Sequence, residues 1–180
     1  MRRFLRSTWE VLKVAFVAVG AVVLIRNFLV QPFLVSGQSM VPTFRNGDYL
    51  LIDELTYRFR EPVRGEVVVF RSPDDATFFI KRIIGLPGER VEIQDGRVRI
   101  ISDAYPEGMA LEEPYLPSLT VTGGGKGELG TGEYFVMGDN RSFSLDSRSW
   151  GSIDADRIVG LVRLRLWPVH AVQAFGAPHY

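Results

Sequence analysis

Thr77-Phe78-Phe79-Ile80-Lys81-Arg82-Ile83-Ile84, closed by Gly85-Leu86-Pro87-Gly88, is the stretch on which the fold turns. It is short, rich in aromatic and β-branched residues, and bounded by a Pro-Gly turn, which are strand signals. Read as a strand, it alternates: Lys81 shares a face with Phe79 and Ile83, and Arg82 shares the other with Ile80 and Ile84. Working outward, similar short runs occur at Tyr49–Ile52, Glu66–Phe70, Arg90–Ile93, Arg97–Ile101, Tyr134–Met137 and Ile158–Leu166. Turn residues separate them at Asn46-Gly47-Asp48, Arg64-Gly65, Asp95-Gly96 and Gly138-Asp139-Asn140, and Asp-Gly between two alternating runs is a hairpin signal. The expected fold is mainly β: an antiparallel sheet domain over 31–92 and 134–180, interrupted by a smaller β and loop insert over 93–133. Within the insert, 123–132 reads as a mobile glycine-rich connection. No long helix is expected beyond the N-terminal segment.

Composition excludes several chemistries. The 180-residue chain has zero formal net charge, so no global field points to nucleic acid. It has no cysteine, which removes disulfides, thiolate metal sites and cysteine nucleophiles together. Its only histidines, His170 and His179, lie near the C-terminus, so a Ser-His-Asp triad or a histidine metal site would have to be built from that tail. The only lysines are Lys13, Lys81 and Lys126 in an arginine-rich chain. A desolvated lysine can give up its proton, whereas arginine cannot.

Residues 1–8 are basic, with Arg2, Arg3 and Arg6. The uncharged run from Val14 to Ile25 spans only about 18 Å as a helix, short of a bilayer core of about 30 Å. From Trp9 to Val30 the span is about 33 Å, provided Lys13 and Arg26 snorkel to opposite interfaces. The expected arrangement is a single-pass anchor over 9–30, with 1–8 cytoplasmic and the remainder outside the cell membrane. A cleavable signal peptide fits the basic start, but Arg26-Asn27-Phe28-Leu29 follows the apolar run where an Ala-x-Ala site would stand. A buried core helix is a third reading.

Three clusters could carry chemistry. Ser36-Gly37-Gln38-Ser39-Met40-Val41-Pro42-Thr43 is either an ordinary turn or a loop presenting a nucleophile, with backbone N–H groups available to an oxyanion. Lys81 is either a snorkelling edge lysine or a desolvated amine of lowered pKa. The third cluster runs from Gly138 to Gly151 and holds Asp139, Arg141, Ser144, Asp146 and Arg148. It is either a solvated loop or a fixed polar network in which the aspartates balance Arg82, Arg141 or Arg148 and a hydroxyl orients the lysine.

Taken in order, Ser39-Met40-x-Pro42-Thr43, Lys81-Arg82-x-x-Gly85-x-Pro87-Gly88 and Gly138-Asp139-Asn140-Arg141-x-x-Ser144-x-Asp146-Ser147-Arg148 resemble the type I signal peptidases, a Ser/Lys protease family. Gly47-Asp48, Arg64–Phe70, Glu113-Pro114-Tyr115-Leu116 and Leu166-Trp167-Pro168 extend the resemblance over nearly the whole chain. It implies Ser39 as nucleophile, Lys81 as general base, Ser144 as the hydroxyl orienting the lysine, and Asp146 with Arg148 as a structural ion pair near Asp139. It also implies that Phe33, Val35, Leu50, Val69 and Ile80 line pockets for small side chains. Some members carry a serine two residues before the nucleophile; here Gly37 stands there, leaving the oxyanion to backbone N–H groups of Ser39 and Gly37. The implied partners are preprotein signal peptides, the lipid bilayer and the secretion translocon, with no metal or organic cofactor. Ser39 lies within about 43 Å of Arg26 along an extended chain, where an emerging signal peptide presents its cleavage site. Two rivals are a self-cleaving repressor-type Ser/Lys protease and an inactive membrane-tethered peptide-binding β domain. The anchor and the lack of a recognisable DNA-binding domain oppose the first. The complete Ser39, Lys81 and Ser144 set opposes the second.

Overall fold

A computed structural model describes residues 9–20, 30–72, 74, 77–118, 120 and 122–178. Residues 9–20 form helix α1. The strands are β1 (Val30–Leu34), β2 (Tyr49–Asp53), β3 (Val67–Arg71), β4 (Phe78–Gly85), β5 (Arg90–Gln94), β6 (Arg97–Ser102), β7 (Tyr105–Ala110), β8 (Gly125–Glu128), β9 (Glu133–Met137), β10 (Ile153–Asp154), β11 (Ile158–Trp167) and β12 (Gln173–Ala174). A one-turn helix α2 (Ser147–Trp150) precedes β10. The fold is mainly β with antiparallel pairing, as the alternating runs imply. The basic segment 1–8 and most of the remaining anchor, 21–29, lie outside the described residues. Among the described residues, no helix is long and apolar enough to cross a membrane.

The larger sheet runs β1-β2-β11-β3-β4-β9-β10, with β12 paired to β11. Alternation divides its core. Val67 and Val69 face one apolar cluster with Val35, Met40, Phe44, Leu50, Ile52 and Val162. Val68 and Phe70 face the other, with Ile83, Tyr134, Val136 and Ile153. The smaller sheet runs β7-β6-β5-β8. It packs on the larger one through Ile84, Phe135 and Met137, which share a buried cluster with Val91, Ile93, Val98 and Ile100. Each such side chain contributes about 1.5–3 kcal/mol on full burial. The smaller sheet contains β5 whole, so a boundary between 92 and 93 would cut a strand.

One expectation is corrected. The glycine-rich stretch is partly a strand: β8 pairs with β5 from Arg90↔Glu128 to Ile93↔Gly125. Its glycines answer to packing. A Cβ on Gly127 would lie 2.8 Å from the Phe135 ring, so only glycine lets the edge strand close over that ring.

Candidate active site

The loop from Val35 to Asp48 leaves β1 and returns to β2 like a long hairpin. Val35 N–H donates to the Asp48 carbonyl at 2.9 Å and Gly47 N–H to the Val35 carbonyl at 2.9 Å. Met40 and Phe44 are buried and pin the loop to the core. Arg165 on β11 holds it from beneath, donating to the Thr43 carbonyl at 2.9 Å and to Asp48 Oδ2 at 3.2 Å. Ser39 is thus presented by a fixed segment. Gly37 has φ of +100°, a conformation suited to glycine. Its N–H donates to Asn46 Oδ1 at 3.0 Å and is therefore occupied. The Ser39 N–H has no hydrogen-bond partner among the described residues, so it is the better-suited oxyanion donor of the two.

Lys81 arrives from β4. Strand β9 pairs with β4 at Arg82↔Met137 and Ile83↔Val136, then departs. Lys81 is therefore the first β4 residue beyond the end of β9, where one edge of the strand opens. Its Nζ bends over that edge, donating to the Ile80 carbonyl at 3.1 Å and meeting Ser39 Oγ at 2.9 Å. The Phe79 ring lies 5.3 Å away, and Trp150 stacks on Phe79 at 5.5 Å. Only 3% of Lys81 is exposed. Burial pushes its ammonium pKa down to about 8, and the negative charges of Asp146 and Asp139 offset only part of that.

The segment after β9 supplies the remaining polar groups. Arg82 Nε and Nη2 bind the two Asp139 oxygens at 2.9 and 2.6 Å, and Asp139 Oδ2 accepts from Thr43 Oγ1 at 2.5 Å. Asp146 receives Arg148 Nε and Nη2, both at 2.8 Å, and the Gly138 N–H at 3.0 Å. Burial raises the Asp146 pKa, but these donors outweigh it and hold the carboxyl below its ordinary value. Arg141 pairs with neither aspartate: it makes a double contact with Glu113 and donates to Thr122 Oγ1 at 2.6 Å. Ser144 Oγ is buried beside Gly138; it makes no hydrogen bond to Lys81, and the polar group it turns toward is the Asp146 carboxylate, whose pKa it helps to lower.

Phe33, Val35, Leu50, Val69 and Ile80 line one cleft of about 280 Å³ with Ser36, Ser39, Phe78, Phe79 and Lys81. Its walls carry no carboxylate. Residues 8–167 match the family described as signal peptidase, peptidase S26. The chain belongs to that signal peptidase family. It is accordingly a peptidase, a hydrolase. It is 37% identical over 174 residues to a probable signal peptidase I-2 of Synechocystis, covering 92% of this chain and 77% of that protein. It is 36% identical over 181 residues to a signal peptidase I of Bacillus amyloliquefaciens, covering 94% of this chain and 91% of that protein. A crystal structure of a signal peptidase I from Enterococcus faecalis aligns at a TM-score of 0.48 and 30% identity, over 57% of this chain and 97% of that one.

For a peptidase of this family, the arrangement offers a hydroxyl in contact with a desolvated amine, at the mouth of an apolar cleft. Sequence reasoning passed over Thr43 and Asn140, which tie the two loops together. Asn140 N–H donates to the Ser39 carbonyl at 2.9 Å, and its side-chain amide to the Gln38 carbonyl at 3.0 Å. It also assigned no contact to Glu113 or Tyr115, although both stand inside a quoted motif. The available signal was a count: Arg82, Arg141 and Arg148 face only Asp139 and Asp146, which leaves one arginine for a carboxylate of the insert.

Proposed function

We propose that the chain is a membrane-attached serine endopeptidase that removes N-terminal signal peptides from exported preproteins, cleaving after small residues through a Ser39/Lys81 dyad and an acyl-enzyme. The observation carrying this reading is the 2.9 Å contact between Lys81 Nζ and Ser39 Oγ, made by a lysine whose burial lowers its pKa to about 8. Near that pH a sizeable fraction of the amine is neutral, and its lone pair accepts the Ser39 proton as Oγ attacks the scissile carbonyl. The resulting oxyanion is met by the Ser39 N–H. Lys81 then returns the proton to the leaving amine, and later takes one from the water that hydrolyses the ester.

Substrate geometry follows from the open edge of β4. Ile83 bonds to Glu66 and Gly65 on the β3 side, so alternation turns the backbone of Ile80 and Phe78 toward the edge that β9 vacates. An extended peptide can pair there, with alternate side chains pointing into the cleft. The apolar lining of Phe33, Val35, Leu50, Val69 and Ile80 favours small or aliphatic side chains over charged ones. Residues 9–29, short of Val30 which opens β1, act as a single-pass anchor with 1–8 cytoplasmic; the larger sheet is the catalytic part outside, and the smaller sheet, β5 to β8, is its insert between β4 and β9. The lipid bilayer, and the translocon that delivers preproteins, are the partners this arrangement requires.

The test is cleavage of a preprotein by the purified full chain in detergent. The expected cut falls after the last alanine of an Ala-x-Ala sequence, and Arg or Phe at that position blocks it. Efficient cleavage after Arg or Phe would overturn the specificity.

A further inference from the structure

The insert reaches into the dyad's support. Glu113 and Tyr115 lie on the connection between β7 and β8, far in sequence from Ser39 and Lys81. The Tyr115 ring covers the Arg82 guanidinium, 3.8 Å from centroid to Cζ. Tyr115 Oη donates to Glu113 Oε1 at 2.8 Å, and the Glu113 carboxylate clamps Arg141. Both arginines in turn hold the segment that backs the nucleophile. Arg141 Nε donates to the Gly138 carbonyl at 3.1 Å. Arg82 grips Asp139 with two nitrogens and the Gly65 carbonyl with the third at 2.8 Å. Asp139 Oδ2 accepts from Thr43 Oγ1 at 2.5 Å, and Asn140 N–H donates to the Ser39 carbonyl at 2.9 Å.

We infer that Glu113 and Tyr115 are positioning residues for the peptidase reaction, acting through Arg141 and Arg82 to set the separation of Ser39 and Lys81. This rests on the Ser39/Lys81 reading above. The physical reason is that Ser39 and Lys81 come from different elements, a loop and a strand, and their contact is only as constant as the tie between them. The tie runs through two guanidiniums that are almost fully buried, with Arg82 4% and Arg141 4% exposed. A guanidinium is fixed in direction only if its plane is fixed. Asp139 and Glu113 fix each one edge-on, and the Tyr115 ring fixes Arg82 face-on. Small errors in a nucleophile–base pair cost large factors in rate, so a residue two contacts removed can act on turnover without touching substrate.

The experiment uses the full chain in detergent with a preprotein substrate, and compares Tyr115→Leu, Tyr115→Phe and Glu113→Gln with the parent. Lys81→Arg runs alongside: if it retains turnover, the dyad reading fails, whatever the other variants do. The expected result for Tyr115→Leu is a fall in kcat of about 10- to 100-fold with KM within twofold, because the cleft itself is untouched. Tyr115→Phe keeps the ring over Arg82 and should return kcat to within about threefold of the parent. Glu113→Gln loses the charge on Arg141 and should lower kcat by about three- to tenfold. A folded Tyr115→Leu protein with kcat within twofold of the parent overturns the inference. So does a Tyr115→Phe protein as impaired as Tyr115→Leu. Should Tyr115→Leu fail to fold, Glu113→Gln decides, and a parental kcat there overturns it equally.

Discussion

Lys81 and Arg82 are neighbours on β4, both almost excluded from water, and the two faces of the strand treat them in opposite ways. On the Ile80–Arg82–Ile84 face, the guanidinium has a carboxylate against two of its nitrogens and a carbonyl against the third. On the Phe79–Lys81–Ile83 face, the lysine has a hydroxyl and a carbonyl as its hydrogen-bond partners. The carboxylates whose charge it feels, Asp146 and Asp139, are bound to Arg148 and Arg82. A buried cation with its own counter-ion becomes a fixed part of the framework. A buried cation without one is easily neutralised. The residue types fit: arginine keeps its charge under any desolvation met here, whereas lysine does not.

The sharpest way to break this comparison is to exchange the cation types one at a time. Lys81→Arg keeps a positive charge but no accessible lone pair, and turnover of a preprotein should fall by at least about 1,000-fold. Ser39→Ala should match it with folding intact. Arg82→Lys should still cleave, since Arg82 has no part in the proton transfer, but more slowly than the parent, because an ammonium cannot reproduce the two-nitrogen grip on Asp139. In the parent, kcat/KM should rise with pH along a limb centred at about 8, where neutral Lys81 appears. Substantial turnover in Lys81→Arg, or a limb centred near the ordinary lysine value of about 10.4, would remove the distinction between the faces.

Next in size is loss of the counter-ion. Asp139→Ala leaves Arg82 buried without its carboxylate and frees Thr43, and should destabilise the fold by about 3–5 kcal/mol. Urea unfolding of the full chain in detergent measures it. A loss below about 1 kcal/mol would mean that water reaches Arg82 and that the two faces are not electrostatically distinct.

Ser144 is a smaller test, on the lysine face. The reading taken from the family resemblance makes it the hydroxyl that orients Lys81, yet its Oγ makes no hydrogen bond to Lys81 and acts instead on Asp146. If it orients the amine during turnover, Ser144→Ala lowers kcat by about 10- to 100-fold without abolishing it. An unchanged rate would show Lys81 to be oriented by Ile80 and Ser39 alone.

Strands whose alternation is local were legible: Tyr49–Asp53, Arg90–Gln94 and Arg97–Ser102 all follow apolar–polar period and turn chemistry, whereas β1 and β7, interrupted by Pro32, Pro106 and Gly108, were not among the runs read. Strand β8 was not, because Gly125 and Gly127 carry no side chain to alternate, and their fitness depends on Phe135 and Arg148 from elsewhere. Ser39 and Lys81 stood out singly by type and were brought together by motif order. Their contact depends on where β9 stops, which no residue in either motif encodes. The partner of Arg141 was hidden for the same reason. A short run dense in Asp, Arg and Ser offers internal pairings, and nothing local says that Glu113 will fold over to outcompete Asp139 and Asp146.

The smallest expected effect concerns what the lysine face costs the fold. Lys81 has a folded pKa of about 8 against about 10.4 when unfolded. The unfolded chain therefore binds more protons between those values, and stability rises with pH across that window. Below about pH 8 the whole penalty is present, on the order of 3 kcal/mol from the shift alone. Lys81→Met keeps the apolar stem in a cleft lined by Phe79 and Ile80 and removes the charge. It forfeits the contacts to Ser39 and Ile80, so the net gain at pH 7 should be about 1–2 kcal/mol. Arg82→Met makes the contrast: it strands Asp139 and should destabilise. Urea unfolding of parent and Lys81→Met at pH 7 and pH 10 measures both parts, because the advantage of methionine should shrink as the parent lysine loses its proton. A Lys81→Met protein less stable than the parent at pH 7, or an advantage that does not shrink with pH, would mean that the buried amine is compensated after all.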